Sequence, residues 1–101
     1  MNDEDPDAIT LTEKDNVATS LHTLQPGQIA YVKANTDHAT VQIIAVIPPN
    51  HKFAIRDIDA GEHIIKFGEI IGVATRKIAK GSHVHTQNLT SLHGRGHGQP
   101  R

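Results

Sequence analysis

Four copies of one short pattern most restrict what this chain can fold into. An aliphatic residue is followed three positions later by a residue that tolerates a positive φ: Leu24 and Gly27 in "LQPGQIA", Ile47 and Asn50 in "IPPNHKF", Ile58 and Gly61 in "AIRDIDAGEHI", Ile78 and Gly81 in "ATRKIAKGSHV". The last two align without a gap, with matches at Ala54/Ala74, Arg56/Arg76, Ile58/Ile78, Gly61/Gly81, His63/His83 and Ile64/Val84. Gln25-Pro26-Gly27-Gln28 puts proline second and glycine third, as a type II turn requires. Gly61 and Gly81 hold the same place, and Asn50 stands in where glycine is missing, asparagine being the next most tolerant of left-handed geometry. Each copy therefore reads as one strand ending, a tight turn, and another strand starting.

The segments between the turns suit strands. "IAYVKA" (29–34) alternates apolar and polar residues, "ATVQIIAVI" (39–47) is long and β-branched, and "EIIGVAT" (69–75) is another aliphatic run. A turn is expected at Asn35-Thr36-Asp37-His38, ahead of the second of these. "EKDNVATSLHTL" is ambiguous, strand or irregular with a short helix, because its acids and alanine also suit a helical turn. The fold class predicted is all-β, built from many short strands and glycine turns.

A chain of 101 residues is at most one small domain. It buries only about 60–65% of its unfolded surface, and its core is aliphatic, with Tyr31, Phe53 and Phe67 the only aromatics. A complete enzyme active site would be crowded here, so a subunit or binding module is expected. With 10 basic and 11 acidic residues and few rings for base stacking, nucleic acid is not an expected partner. Absence of cysteine removes disulfides, thiol nucleophiles and thiolate zinc sites. No apolar run is long enough to span a membrane and the start "MNDEDPDA" is too acidic for a signal peptide, so a cytoplasmic location is expected. Residues 1–8 are expected to be disordered, 9–92 to form the domain, and 93–101 ("HGRGHGQPR") to be a flexible tail.

Histidine is over-represented, with eight copies. In "HVHTQN", His83 and His85 are two apart, so on a strand both imidazoles leave one face while Val84 packs the other way. Two such rings can hold one divalent metal (Zn, Fe or Ni), but a third ligand has to come from elsewhere in the fold or from a partner. Gln87 and Asn88 are placed to bond a ligand or the second ring nitrogen. The alternative is two solvated side chains on an exposed strand face. Lys66, before the Phe67-Gly68 turn, can meet a substrate carboxylate or simply lay its stem along the sheet edge. By the repeat, position 52 is equivalent to His63 and His83, and these three side chains either converge or spread around the surface. The carboxylates near the turns read as surface groups, and no nucleophile elbow or nucleotide-binding glycine loop is present.

The stretch "HKFAIRDIDAGEHIIKFGEIIGVATRKIAKGSHVHTQNL" (51–89) resembles the SAF-type domain of the altronate/galactarate dehydratase family, through "HKFA", the Ile-x-x-Gly turns, "IIKFGEIIG" and "HVHTQN". "DNVATSLHTLQPG" (15–27) resembles the family's opening, so the likeness spans roughly residues 10–90. In that family the domain is either the N-terminal part of a long dehydratase or a separate small subunit, as in the related sulfolactate sulfo-lyases. The resemblance implies a β-clip fold of short, bent strands and a dehydratase large subunit as partner. It also implies a divalent metal, iron or similar, shared with that subunit. It places Lys66, His83, His85 and Asn88 on the shared active-site side, with His51 a further candidate, and His83 and His85 as metal ligands. One departure is Gln87, which stands where the family often has a third histidine, so no three-histidine cluster exists within "HVHTQN".

The expected function is a small, non-autonomous subunit of a sugar-acid dehydratase that completes or caps the large subunit's site and is inactive alone. Alternatives are a freestanding β-clip module binding a sugar acid or a protein, a sulfolactate sulfo-lyase small subunit, and a histidine-rich metal carrier. Exposed sheet edges make a homo-oligomer plausible.

Overall fold

The computed structural model describes residues 5–34 and 38–91. Nine strands occur there: β1 (Ala8–Ile9), β2 (Val17–Ser20), β3 (Ile29–Lys33), β4 (His38–Gln42), β5 (Lys52–Ala54), β6 (His63–Lys66), β7 (Glu69–Ala74), β8 (His83–Val84) and β9 (Leu89–Ser91). No helix is present among the described residues, so none is long and apolar enough to cross a membrane. The chain is all-β, as its turns and alternating segments predict, and its short strands suit the bent β-clip architecture.

The strands form a six-stranded sheet in the order β4-β3-β1-β2-β5-β8 and a three-stranded sheet in the order β6-β7-β9. Only the β1–β3 pair is parallel among these ladders. All four turns occur where the sequence places them: φ is +92° at Gly27, +66° at Asn50, +87° at Gly61 and +90° at Gly81.

One bonding scheme is used four times. The N–H of each positive-φ residue donates to a carbonyl on another segment, at Ile43, Ser20, Ala74 and Ala54 respectively. That partner's own N–H donates back to the residue following the turn, as in Ala54 N–H to Ser82 O at 3.0 Å. The aliphatic residues that open the turns then pair across the molecule. Leu24 and Ile47 exchange two backbone hydrogen bonds of 2.9 Å, and Ile58 and Ile78 exchange bonds of 2.9 and 2.8 Å.

Each pair lies at the heart of its own core. Leu24 and Ile47 pack with Ala8, Ala18, Ala30, Val32, Val41, Ile43 and Phe53; Ile58 and Ile78 pack with Val17, Ala54, Ile64, Ala74 and Val84. Burying each such side chain contributes about 1.5–3 kcal/mol, so the repeated aliphatic position supports the fold and needs no functional reason. β2 and β5 join the halves, since Ala18 and Phe53 face one core while Val17 and Ala54 face the other.

Three expectations change. The 39–47 run is a ladder strand only to Gln42, because Ile43 and Ile47 bond to turn segments instead of to a neighbouring strand. The helical option for residues 13–24 is replaced by a tight turn and then β2, because Asp15 captures the backbone. Its carboxylate accepts from the Leu11 N–H (2.9 Å), Thr12 N–H (3.3 Å), Thr12 hydroxyl (2.8 Å) and Gly68 N–H (2.7 Å). β1 begins inside the segment 1–8 expected to be disordered: Ala8 is fully buried, and Asp7 accepts from Tyr31 N–H at 2.8 Å. Residues 1–4, most of the turn expected at 35–38, and the tail 93–101 lie outside the described residues.

Candidate histidine cluster

The two strands that carry the site follow the second and fourth turns. After Asn50 the chain enters β5, and after Gly81 it enters β8. The two pair antiparallel, with Phe53 opposite His83 and Lys52 opposite Val84. One step further in the same register brings His51 opposite His85. The result is three imidazoles at the outer edge of the six-stranded sheet.

Ring centroids are 5.0 Å apart for His51–His83, 4.7 Å for His51–His85 and 5.6 Å for His83–His85. His51 Nδ1 is 2.8 Å from His83 Nε2, and one nitrogen from each ring lies within 4.8 Å of the others. Metal–nitrogen bonds of about 2.0–2.1 Å in tetrahedral geometry need nitrogens about 3.3 Å apart. The three rings therefore fit a divalent ion after side-chain adjustment, and a neutral three-nitrogen set suits zinc, iron or nickel.

Burial holds His83 below the usual histidine pKa, reinforced by His51, His85 and Lys52. Burial, His51 and Lys52 lower His85 likewise. Both rings are thus kept neutral, the form that ligates a metal.

Asn88, expected on the shared face, is buried and engaged at both ends of its amide. Its side-chain oxygen accepts from His85 N–H (3.0 Å) and its amide donates to His83 O (2.9 Å). It clamps the His83–His85 segment. Gln87 donates to His83 Nδ1 at 3.2 Å, so the residue that replaces a family histidine touches the ring it would have accompanied.

Lys66 ends β6, with its ammonium 5.3 Å from the centre of the Phe67 ring. Phe67 (φ +53°) and Gly68 (φ +83°) close a hairpin with two left-handed residues, a strained arrangement for a bulky side chain. The pKa of Lys52 is lowered, first by burial and then by the charge of Lys66.

The structure thus brings His51, His83 and His85 together and leaves His63 out. The reason is topological: β6, which carries His63, pairs with β7 in the other sheet, while β5 pairs with β8. The third imidazole comes from 32 residues upstream, not from "HVHTQN" itself. Position 52, equivalent to His83 by the repeat, does not join them: Lys52 pairs with Val84, on the face away from the imidazoles.

The model of the altronate/galactarate dehydratase SAF domain matches residues 6–92. Over 74 residues the chain is 40% identical to altronate dehydratase of Escherichia coli (strain K12), covering 73% of this chain and 14% of that enzyme. It is 48% identical over 42 residues to galactarate dehydratase (L-threo-forming) of the same organism, covering 42% of this chain and 8% of that enzyme. With the (2R)-sulfolactate sulfo-lyase subunit alpha of Chromohalobacter salexigens, identity is 44% over 43 residues, covering 43% of this chain and 46% of that subunit. The chain therefore spans a small part of the dehydratases and less than half of that subunit. It belongs to the altronate/galactarate dehydratase SAF domain family.

Proposed function

We propose that this chain is the small, non-autonomous subunit of a cytoplasmic sugar-acid dehydratase and completes the active site of a separate large subunit. The observation that carries the reading is the edge cluster of His51, His83 and His85. It fits a metal and, among the described residues, includes no carboxylate, which supports a reading in which the large subunit supplies the acid or base for the reaction.

In the reaction, the proton α to a carboxylate leaves, the β carbon–oxygen bond breaks, and the hydroxyl departs as water, giving an enol that becomes a keto acid. A divalent ion such as iron held by these imidazoles would act as a Lewis acid, lowering the cost of charge at the carboxylate and at the departing oxygen. The chain's own contribution is positional. His83 and His85 stay neutral, Asn88 fixes their backbone, and Lys66 offers a cation for the acid group.

The substrate would be altronate, galactarate or a close relative. Sulfolactate sulfo-lyase is the second reading, favoured by the match to subunits that carry that name. The test is to co-purify the chain with a dehydratase large chain lacking its own domain of this type and assay altronate, galactarate and (2R)-sulfolactate. Activity of the mixture, and of neither component alone, is expected. Dehydration of altronate by the purified chain alone, or an inactive mixture, would contradict the proposal.

A further inference from the structure

We propose that Ile29, Ile44 and Val46 form the apolar face on which the dehydratase large subunit docks. The inference rests on the reading above for the identity of that partner, and on the fold of this chain for the place.

The three side chains are exposed to 56%, 52% and 50%. Ile29 lies opposite Gln42 in the β3–β4 ladder, and directly paired residues share a sheet face. Beyond Val41, burial keeps alternating as in a strand. Val41, Ile43 and Ile47 fill the core, while Gln42, Ile44 and Val46 turn to solvent. Residues 39–50 contain no Asp, Glu, Lys or Arg, so no charge interrupts the row. Single apolar residues on a surface are ordinary, whereas a row of them marks an interaction face.

The chain carries its own control for whether the fold needs these positions apolar, because its two halves repeat one scheme. Gly27 N–H donates to Ile43 O at 2.7 Å, and Gly61 N–H to Ala74 O at 2.8 Å. Ile43 N–H donates to Gln28 O at 2.8 Å, and Ala74 N–H to Glu62 O at 2.9 Å. Even a side-chain bond recurs, from Gln25 N–H to Gln28 Oε1 (3.0 Å) and from Asp59 N–H to Glu62 Oε1 (2.9 Å). Counted from these anchors, Ile29 corresponds to His63, Ile44 to Thr75 and Val46 to Lys77. All three counterparts are polar and exposed. The same backbone therefore accepts polar residues at each place. The apolar set in the first half calls for a covering surface, not for folding.

The row is also fixed next to the strand that carries the imidazoles. Ile44 N–H donates to Gly81 O at 3.1 Å, and Gly81 sits so close to Gln42 O that no Cβ fits between them. Gly81 leads into β8, where His83 follows two residues on, about 7 Å along an extended strand. β8 is the terminal strand of its sheet, so a polypeptide seated on the row and passing around that edge meets the histidines. Size agrees with a large partner. The matching stretch is 14% of the altronate dehydratase of Escherichia coli, so most of that polypeptide lies outside it and is ample to cover the row.

The test pairs the full chain with a dehydratase large chain lacking its own domain of this type, and reads binding apart from turnover. In the wild-type chain, methyl NMR signals of Ile29, Ile44 and Val46 should shift or broaden on adding the large chain, while those of Ile70, exposed in the other sheet, stay put. Ile44→Thr combined with Val46→Lys installs the second half's residues, so this variant should fold and resist urea like wild type. Its affinity for the large chain, by calorimetry, should fall about tenfold or more, whereas Ile70→Lys keeps wild-type affinity. Unmoved methyl signals in a complex that forms, wild-type affinity of the folded double variant, or an equal loss with Ile70→Lys would overturn the docking face. So would a dimer of the isolated chain, seen by sedimentation, that the double variant abolishes, since a second copy would then own the row. Turnover separates the two ideas. An active mixture whose affinity ignores the double variant removes the docking face and leaves the dehydratase reading. An inactive mixture that still binds through the row ends that reading and leaves the docking face.

Discussion

His51 Nδ1 lies 2.8 Å from His83 Nε2 although 32 residues separate them. The contact also orders the protons. Gln87 donates to His83 Nδ1, so His83 carries its proton on Nε2 and donates it to His51 Nδ1, an assignment that follows from the amide's orientation. Taking up an ion at His83 Nε2 would move that proton, and Gln87 would then turn its amide oxygen toward Nδ1.

Acid should release the ion late. Burial and neighbouring groups keep His83 and His85 below the usual histidine pKa of 6.5, so protons compete with a metal only at lower pH than in an unstructured peptide. A zinc titration should show a release midpoint below that of a synthetic peptide of residues 92–101. The metal-free chain obeys the same sign. Unfolding frees imidazoles that bind protons near 6.5, whereas the folded ones wait for lower pH. Stability is therefore highest above pH 6.5 and falls as pH drops toward the folded values. Urea denaturation at pH 7.5 and pH 5 should show this difference, and His83→Gln should shrink it.

The three turns built on glycine respond unequally to a methyl group. At Gly27 and Gly61 an added Cβ meets nothing within 4 Å, so alanine there costs only the left-handed backbone, about 1–2 kcal/mol. At Gly81 the Cβ would lie 2.1 Å from Gln42 O, against backbone that cannot yield. Gly81→Ala should lose more than about 3 kcal/mol, or fail to fold, in urea melts beside the other two.

Asp15 ties the 11–15 turn to the β6–β7 hairpin. Burial alone would raise its pKa, but hydrogen bonds from Leu11, Gly68 and Thr12 outweigh it and bring the carboxyl below 3.8. Asp15→Ala should cost about 2–4 kcal/mol by urea denaturation near neutral pH. The difference from wild type should narrow only below pH 3.8, as the folded carboxyl takes its proton.

Asn88→Ala should weaken zinc binding about tenfold or more without removing a ligand, because the backbone of His83 and His85 loses its clamp. An unchanged affinity in a folded variant would show that the clamp is dispensable.

Much of the fold is legible in the sequence, and for a local reason. Gly27, Asn50, Gly61 and Gly81 announce their turns within four residues, and Leu24, Ile47, Ile58 and Ile78 mark the buried side of each. What is not legible is which turn meets which. The pairing of Leu24 with Ile47, and of β5 with β8, depends on distant hydrogen bonds that no local pattern encodes. That pairing makes His51 the third imidazole. The aliphatic run 39–47 was misleading for the same reason, since its second half bonds to turn residues.

Zinc binding to the purified full chain, and to the chain ending at Ser91 so that His93 and His97 are absent, tests the cluster most directly. Calorimetry should give one ion per chain in both, and His51→Ala should reduce affinity as severely as His83→Ala or His85→Ala, about a hundredfold or more. A folded His51→Ala that binds zinc like wild type, or zinc binding that disappears with the tail, would contradict a three-histidine site.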